Sequence, residues 1–258
     1  MRSRRQAYPG RHPATASLNI ACWNARSLSV DNDCDSHCPR KSPLLDLEHA
    51  RLSIDICALN ETWLTGTGSI REGHYIFFRS GYPDGPRQRH GSDFAVRNSL
   101  LPCMENPVAV SPRLMTLRLK PSSGYLTVLS AYALTLATSS EEKDAFYDQL
   151  SRSISLIQRG DCLALTGDFN ARVGSDYTSW SGTLGAHGVG NLNENVQHLL
   201  ELCSAFHLCL ADTYFAGSMS SKVTWMHPRS RPVFPKLCAA THWCATEEAE
   251  VCRRSFMF

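Results

Sequence analysis

Short apolar stretches separated by turn-forming residues recur along most of the chain: Leu18 to Trp23, Ile54 to Leu59, Phe94 to Val96, Leu114 to Leu119, Leu126 to Ala133, Cys162 to Thr166 and Leu208 to Ala211. Their shortness and the polar residues that bound them predict strands. Two segments switch to a helical period. From Ser139 onward, Phe146, Leu150, Ile154 and Ile157 fall on one face, and Glu142 stands at the spacing of a capping box. Val196, Leu199, Leu200, Cys203 and Phe206 repeat the pattern, predicting a helix that opens near Asn191 or Asn193. A weaker helix is expected over Leu44 to Leu52.

Some neighbouring strands are joined by links too short for a crossover helix, which excludes a purely parallel sheet. The fold expected is α/β, a four-layer sandwich of two packed mixed β-sheets flanked by helices and incomplete at the C-terminus. No internal repeat is present. The stretch Ser80 to Gly91, with Pro, Gly and Arg, predicts an exposed loop, and Arg231 to Phe258 has no periodicity. The organisation expected is a disordered basic leader over 1–16, a folded domain over 17–230 and a divergent tail over 231–258.

Composition narrows this picture only in part. A chain of 258 residues can bury a full core as one domain, and 43% apolar with 19% charged residues is ordinary for a globular protein. No apolar run of about 18 residues offers a membrane span, so no membrane partner is expected. The net charge of +2 does not identify a nucleic-acid partner, despite Arg clusters at Arg2, Arg4, Arg5 and Arg11 and at Arg87, Arg89 and Arg97. The leader lacks the apolar region of a secretory signal, and Pro9 and Pro13 oppose an amphipathic presequence. Eleven cysteines form no C-x-x-C pair; Cys22, Cys57 and Cys162 sit in expected strands as small core residues, and Cys34 and Cys38 around His37 read as a solvated loop. A reducing, intracellular setting follows.

The chemistry sits at strand ends. The runs ending in Asn24, in Asn60-Glu61 and in Gly167-Asp168-Phe169-Asn170 each place a polar group at a carboxyl end, the edge where layered α/β folds collect ligands. One such residue alone is usually a turn former or helix cap. Together, Asn24, Glu61 and Asp168 could converge on a hard divalent cation such as Mg2+, which takes a few carboxylate oxygens and keeps several waters. Mn2+ is the alternative ion.

Four short strings, Trp23-Asn24, Asn60-Glu61-Thr62, Ser130-Ala131-Tyr132-Ala133 and Gly167-Asp168-Phe169-Asn170, resemble in this order the endonuclease/exonuclease/phosphatase superfamily. Gly167 to Gly174, Trp180 to Asn193 and Lys222 to Ser230 are similar to RTE-type non-LTR retrotransposon endonucleases and the craniofacial development protein 2-like group. The likeness covers roughly residues 18 to 230, interrupted near Asp31 to Ser42. It implies that Glu61 binds Mg2+, that Asp168 positions or deprotonates the attacking water, and that Asn170 donates to the phosphate. It further implies that Asn24 orients carboxylate or phosphate, that Tyr132 points its hydroxyl at the phosphate or leaving oxygen, and that Trp225 lines a pocket for an extruded sugar or base. His187 and His198 read as solvated loop and helix positions.

The resemblance also implies an Asp-containing strand after Thr224-Trp225 and a closing Asp-His pair. Arg231 to Phe258 contains no Asp, and its single His, His242, follows Thr241. The reading is therefore an interrupted copy, by frameshift, splicing or truncation, with an open sheet edge and weak or lost activity. The function expected is that of a Mg-dependent, endonuclease-like phosphodiesterase of retrotransposon ancestry, with DNA as partner and a nuclear location if functional. The rivals are a non-catalytic nucleic-acid or protein binding module and a phosphatase acting on small phosphate esters.

Overall fold

The computed structural model describes residues 18–28, 41–81, 91–121 and 124–217, and the backbone of three further short strands at 225–226, 233–234 and 239–242. The basic leader, the Cys34 to Cys38 segment, and Arg87 and Arg89 lie outside the described residues. In chain order the elements are β1 (Ile20–Asn24), α1 (Ser42–Arg51), β2 (Ile56–Asn60), β3 (Thr67–Arg71), β4 (Tyr75–Ser80), β5 (Ser92–Arg97), β6 (Val108–Ser111), β7 (Leu114–Leu119), β8 (Leu126–Tyr132) and α2 (Ser140–Ser155). They continue with β9 (Cys162–Asp168), α3 (Val196–Ala205), β10 (Leu208–Leu210), β11 (Trp225–Met226), β12 (Val233–Phe234) and β13 (Ala239–His242). All seven expected strands and all three expected helices are present. Strands β3, β4 and β6 join them.

One sheet runs β1-β2-β5-β4-β3 and the other β10-β13-β9-β8-β7-β6. Each holds a single parallel pair, β1 with β2 and β8 with β9, among antiparallel neighbours. Side-chain alternation builds the layers. Ile56, Ala58, Phe94 and Val96 of the first sheet meet Met115, Leu117, Leu119, Val128 and Ala164 of the second in the central core. Their neighbours in sequence face outward. Cys57, Leu59, Tyr75, Phe77 and Ala95 carry α1, while Leu114, Leu129, Ala131, Leu163 and Leu165 pack under α2 and α3. The four layers expected from the sequence are these.

Helix α2 begins as its sequence dictates, with the Ser139 hydroxyl accepting from the Glu142 amide at 3.3 Å, and it buries Phe146, Leu150 and Ile154. Three expectations need correction. The stretch expected to leave an open sheet edge supplies β13, which pairs antiparallel with β9 on one side and β10 on the other. Four residues, Ala-Ala-Thr-His, are too few for a period of two to register in the sequence. Cys22 is half-buried and donates its thiol to Asn60 Oδ1 at 3.4 Å, so it supports a polar neighbour rather than filling the core. Arg97, read as part of a cationic cluster, is turned inward to the Ile54 carbonyl at 2.8 Å and to Asp55 at 3.2 Å.

His49 of α1 is fully buried among Trp23, Tyr75 and Phe77, with no hydrogen bond at either ring nitrogen among the described residues. Burial pushes its pKa down to about 4, against the charges of Asp46 and Glu48. The unfolded chain takes up this proton below about pH 6.5 and the folded chain does not until about pH 4, so His49 removes stability as pH falls through that window. Asp93 acts oppositely there, because burial raises its carboxyl to about 6. The difference between wild type and His49→Phe isolates the histidine. From pH 7 to pH 4 the variant should gain on wild type by on the order of 3 kcal/mol in urea or thermal unfolding. Parallel pH profiles of the two proteins would rule this account out.

Candidate active site

The two parallel pairs end at the same level of the sandwich. Register sets Asn24 beside Asn60 in one sheet and Tyr132 beside Asp168 in the other. Ile56, Ala58, Val128 and Ala164 face the central core. Asn60, Tyr132 and Asp168 stand an even number of residues further on and therefore face the same interlayer space. Asn24 keeps that parity with Ile20. Apolar filling thus gives way to a polar rim where the strands stop. Glu61, one residue past β2, has the opposite parity. Its backbone is left-handed, with φ of 55°, and this turn brings its carboxylate back over the rim.

The carboxylates converge through Asn24. Its Nδ2 donates to Glu61 Oε1 at 2.6 Å and to Asp168 Oδ2 at 3.3 Å, so these oxygens lie within about 6 Å of each other. The Tyr132 hydroxyl donates to Glu61 Oε1 at 3.1 Å. Burial first, and then the Glu61 charge, push this hydroxyl above the ordinary phenol range, so it stays protonated and serves as a donor. Asp168 is buried, and its Oδ1 accepts the Asn170 amide at 3.1 Å. Asn170, also left-handed with φ of 48°, donates its side-chain amide to the Ala133 carbonyl at 3.0 Å. The backbone of Trp225 lies in β11, and its side chain lies outside the described residues.

Several polar residues at this rim were not assigned a role from sequence. Asn60 is fully buried and reaches across the sandwich, donating to the Ala131 carbonyl at 3.3 Å; its place after an apolar run, as with Asn24, is the signal it carried. The Ser92 and Ser130 hydroxyls meet across the sheets at 2.7 Å. Arg113 lies over the Tyr132 ring at 5.0 Å and donates to the Tyr132 carbonyl at 3.1 Å. A single Arg in the turn before β7 announces nothing in the sequence.

Solved structures with this arrangement of sheets include an AP endonuclease from Leishmania major, with a TM-score of 0.58 at 13% identity over 87% of this chain and 79% of that one. The chain has the endonuclease/exonuclease/phosphatase fold. The endonuclease domain of TRAS1, a telomere-specific non-LTR retrotransposon, shares this fold with a TM-score of 0.51 at 12% identity, covering 76% of each chain. So does D. rerio TDP2 in complex with a single-strand DNA product, with a TM-score of 0.51 at 13% identity over 88% of this chain and 84% of that one. In sequence, the chain is 29% identical over 218 residues to craniofacial development protein 2 of Bos taurus and 28% identical over 213 residues to that of Tragulus javanicus. Each match covers 82% of this chain. The chain spans about a third of the length of these relatives, 34% and 35%. No protein-family profile matches it.

On this endonuclease/exonuclease/phosphatase scaffold the rim suits a hard cation. Two carboxylates held within about 6 Å, with one amide nitrogen between them and a phenol that stays neutral, leave a concentration of negative charge that an oxygen-seeking divalent ion would neutralise. The described residues contain no group of three or more His, Cys, Asp or Glu side chains that could hold a metal by themselves. A divalent ion of the Mg2+ type takes one or two carboxylates together with waters and substrate phosphate. No helix of the described residues is long and apolar enough to cross a membrane.

Proposed function

We propose that this domain is a Mg2+-dependent, endonuclease-like phosphodiesterase that acts on DNA, of retrotransposon ancestry and with slow turnover. The observation that carries the reading is the convergence of Glu61 and Asp168 on the single Asn24 amide. The DNA-acting proteins that share the fold support DNA as the substrate. Mg2+, or Mn2+ in its place, would be held by Glu61 and would supply neutralisation of charge on the phosphate oxygens.

The chain's own groups divide the remaining work. Asp168 accepts a proton from a water as that water's oxygen bonds to phosphorus and the bond to the leaving sugar oxygen breaks. Its carboxylate is aimed by the Asn170 amide and by Asn24. Tyr132, protonated at any physiological pH, would turn its one O–H from Glu61 to a phosphate oxygen or the leaving oxygen when substrate is bound. The second hydrogen of the Asn170 side-chain amide is available to the phosphate, the first being held by Ala133. Trp225, at the start of β11, would line the pocket for an extruded sugar or base. Slow turnover is inferred because Arg231 to Phe258, where the resemblance implies an Asp-containing strand, contains no Asp.

Purified chain incubated with supercoiled plasmid and Mg2+ should give nicked circles, and Glu61→Ala should reduce the rate by about 100-fold or more. Equal traces from wild type and variant would end the enzymatic reading. DNA binding that weakens with salt and survives Glu61→Ala, without cleavage, would replace it with the binding module.

A further inference from the structure

Asn195 occupies the N-cap position of α3, where an Asn side chain ordinarily accepts from the first helical amides and stabilises the helix. It makes no such bond. Its Nδ2 donates instead to the Leu134 carbonyl at 2.9 Å and to the Asn170 carbonyl at 3.3 Å. With two carbonyls as partners, the amino end of the amide must be the end that faces them. The residue is 3% exposed, and its Oδ1 has no hydrogen-bond partner among the described residues. A buried acceptor left unpaired is destabilising, so the side chain forgoes both a helix cap and a hydrogen bond to reach these strand ends. Such local sacrifices concentrate at functional sites.

Asn193 grips the same place. Its Nδ2 donates to the Asn170 carbonyl at 3.0 Å, while its Oδ1 accepts from the Arg172 amide at 3.0 Å. One carbonyl thus receives two side-chain amides. The peptide they hold belongs to the left-handed Asn170, whose own amide aims the Asp168 carboxylate and whose side chain is tied to Ala133 beside Tyr132. Through Leu134, Asn195 holds the end of β8 as well.

We infer that Asn193 and Asn195 are positioning residues: their side-chain amides clamp the ends of β8 and β9 from behind and so fix Tyr132 and Asp168 in one geometry for phosphodiester hydrolysis. The inference rests on the function proposed above. Neither residue touches the carboxylates. They act through the Asn170 peptide.

Two variants test this in the full chain. Asn193→Asp keeps the acceptor for Arg172 but removes the donor to Asn170, at a half-buried position that accommodates the charge. Asn195→Ala removes both donations without introducing a charge. Each should lower kcat for plasmid nicking by about 10-fold with KM changed less than about twofold, and should speed amide hydrogen exchange at 132–134 and 168–172 but not in the outer strands of either sheet. Wild-type kcat alongside faster exchange at those segments would overturn the inference, as would unchanged exchange. Nicking by wild type no faster than by Glu61→Ala would mean that the proposed function has failed instead. The clamp is then judged by exchange together with Mn2+ titration calorimetry, where wild-type affinity in both variants would overturn it.

Discussion

Gly167→Ala is expected to prevent folding, not only to impair a site. Gly167 lies in β9 opposite Ala131 of β8, with φ of 140°, a conformation open to glycine and strained for every other residue. A β-carbon there would stand 1.8 Å from the Ala131 carbonyl oxygen and 2.8 Å from its backbone nitrogen. Ala131 cannot retreat, because β8 is paired with Leu114 of β7 on its other side and its own side chain packs in the core under α2 and α3. Relief would require parting the parallel pair at the end that carries Tyr132 and Asp168. Backbone collision and strain together place the loss beyond about 4 kcal/mol, a large part of the stability of an ordinary domain. The check is the urea midpoint of whatever soluble protein is recovered. A variant that unfolds at the wild-type midpoint would show that the two strands are not packed this closely.

Much of this arrangement was legible in the sequence. Strands that face a core on one or both sides announce themselves as apolar runs, and β1, β2, β5, β7, β8, β9 and β10 were found that way. Strand β4 carries the same signal in Tyr75 to Phe78. Strands β3 and β6 do not. They form the outer edges of their sheets, and their side chains, exposed over nearly their whole length, leave no apolar pattern. The rim was legible for a related reason: a polar residue that closes an apolar run marks the carboxyl end of a strand, the edge where layered α/β folds collect ligands. Asn24, Glu61, Tyr132 and Asp168 were found on that logic or on the motif that contains them, and the structure brings all four together. Glu61 does so only because its peptide turns left-handed, which no pattern of hydrophobicity records. The supporting residues were hidden. Arg113, Asn193 and Asn195 act on backbone carbonyls of other elements, and a bond from a side chain to a distant carbonyl leaves no trace in the spacing of residues along the chain.

Asp168→Asn should leave the protein folded and reduce plasmid nicking by about 1000-fold. The substitution is nearly isosteric, so the packing of β9 against β8 is retained. The Asn carbonyl oxygen can still accept from the Asn170 amide. What changes is the second oxygen. In wild type it accepts from Asn24 Nδ2 at 3.3 Å; an amide nitrogen in its place sets two donors against each other, and Asn24 must release one carboxylate while keeping Glu61 at 2.6 Å. The thermal midpoint should fall by no more than a few degrees, the effect of one lost, partly buried hydrogen bond. Under the proposed function the rate suffers more, because a neutral amide cannot take the proton of the attacking water and adds nothing to the negative charge that would hold a divalent ion at the rim. Loss of that charge has a second consequence. Mn2+ binding measured by calorimetry should weaken in Asp168→Asn and should be lost more completely in Glu61→Ala, since the proposed function makes Glu61 the ligand and Asp168 the neighbouring charge. A folded Asp168→Asn protein that nicks DNA at the wild-type rate would place the proton acceptor elsewhere and leave Asp168 as a turn-forming residue at the end of a strand.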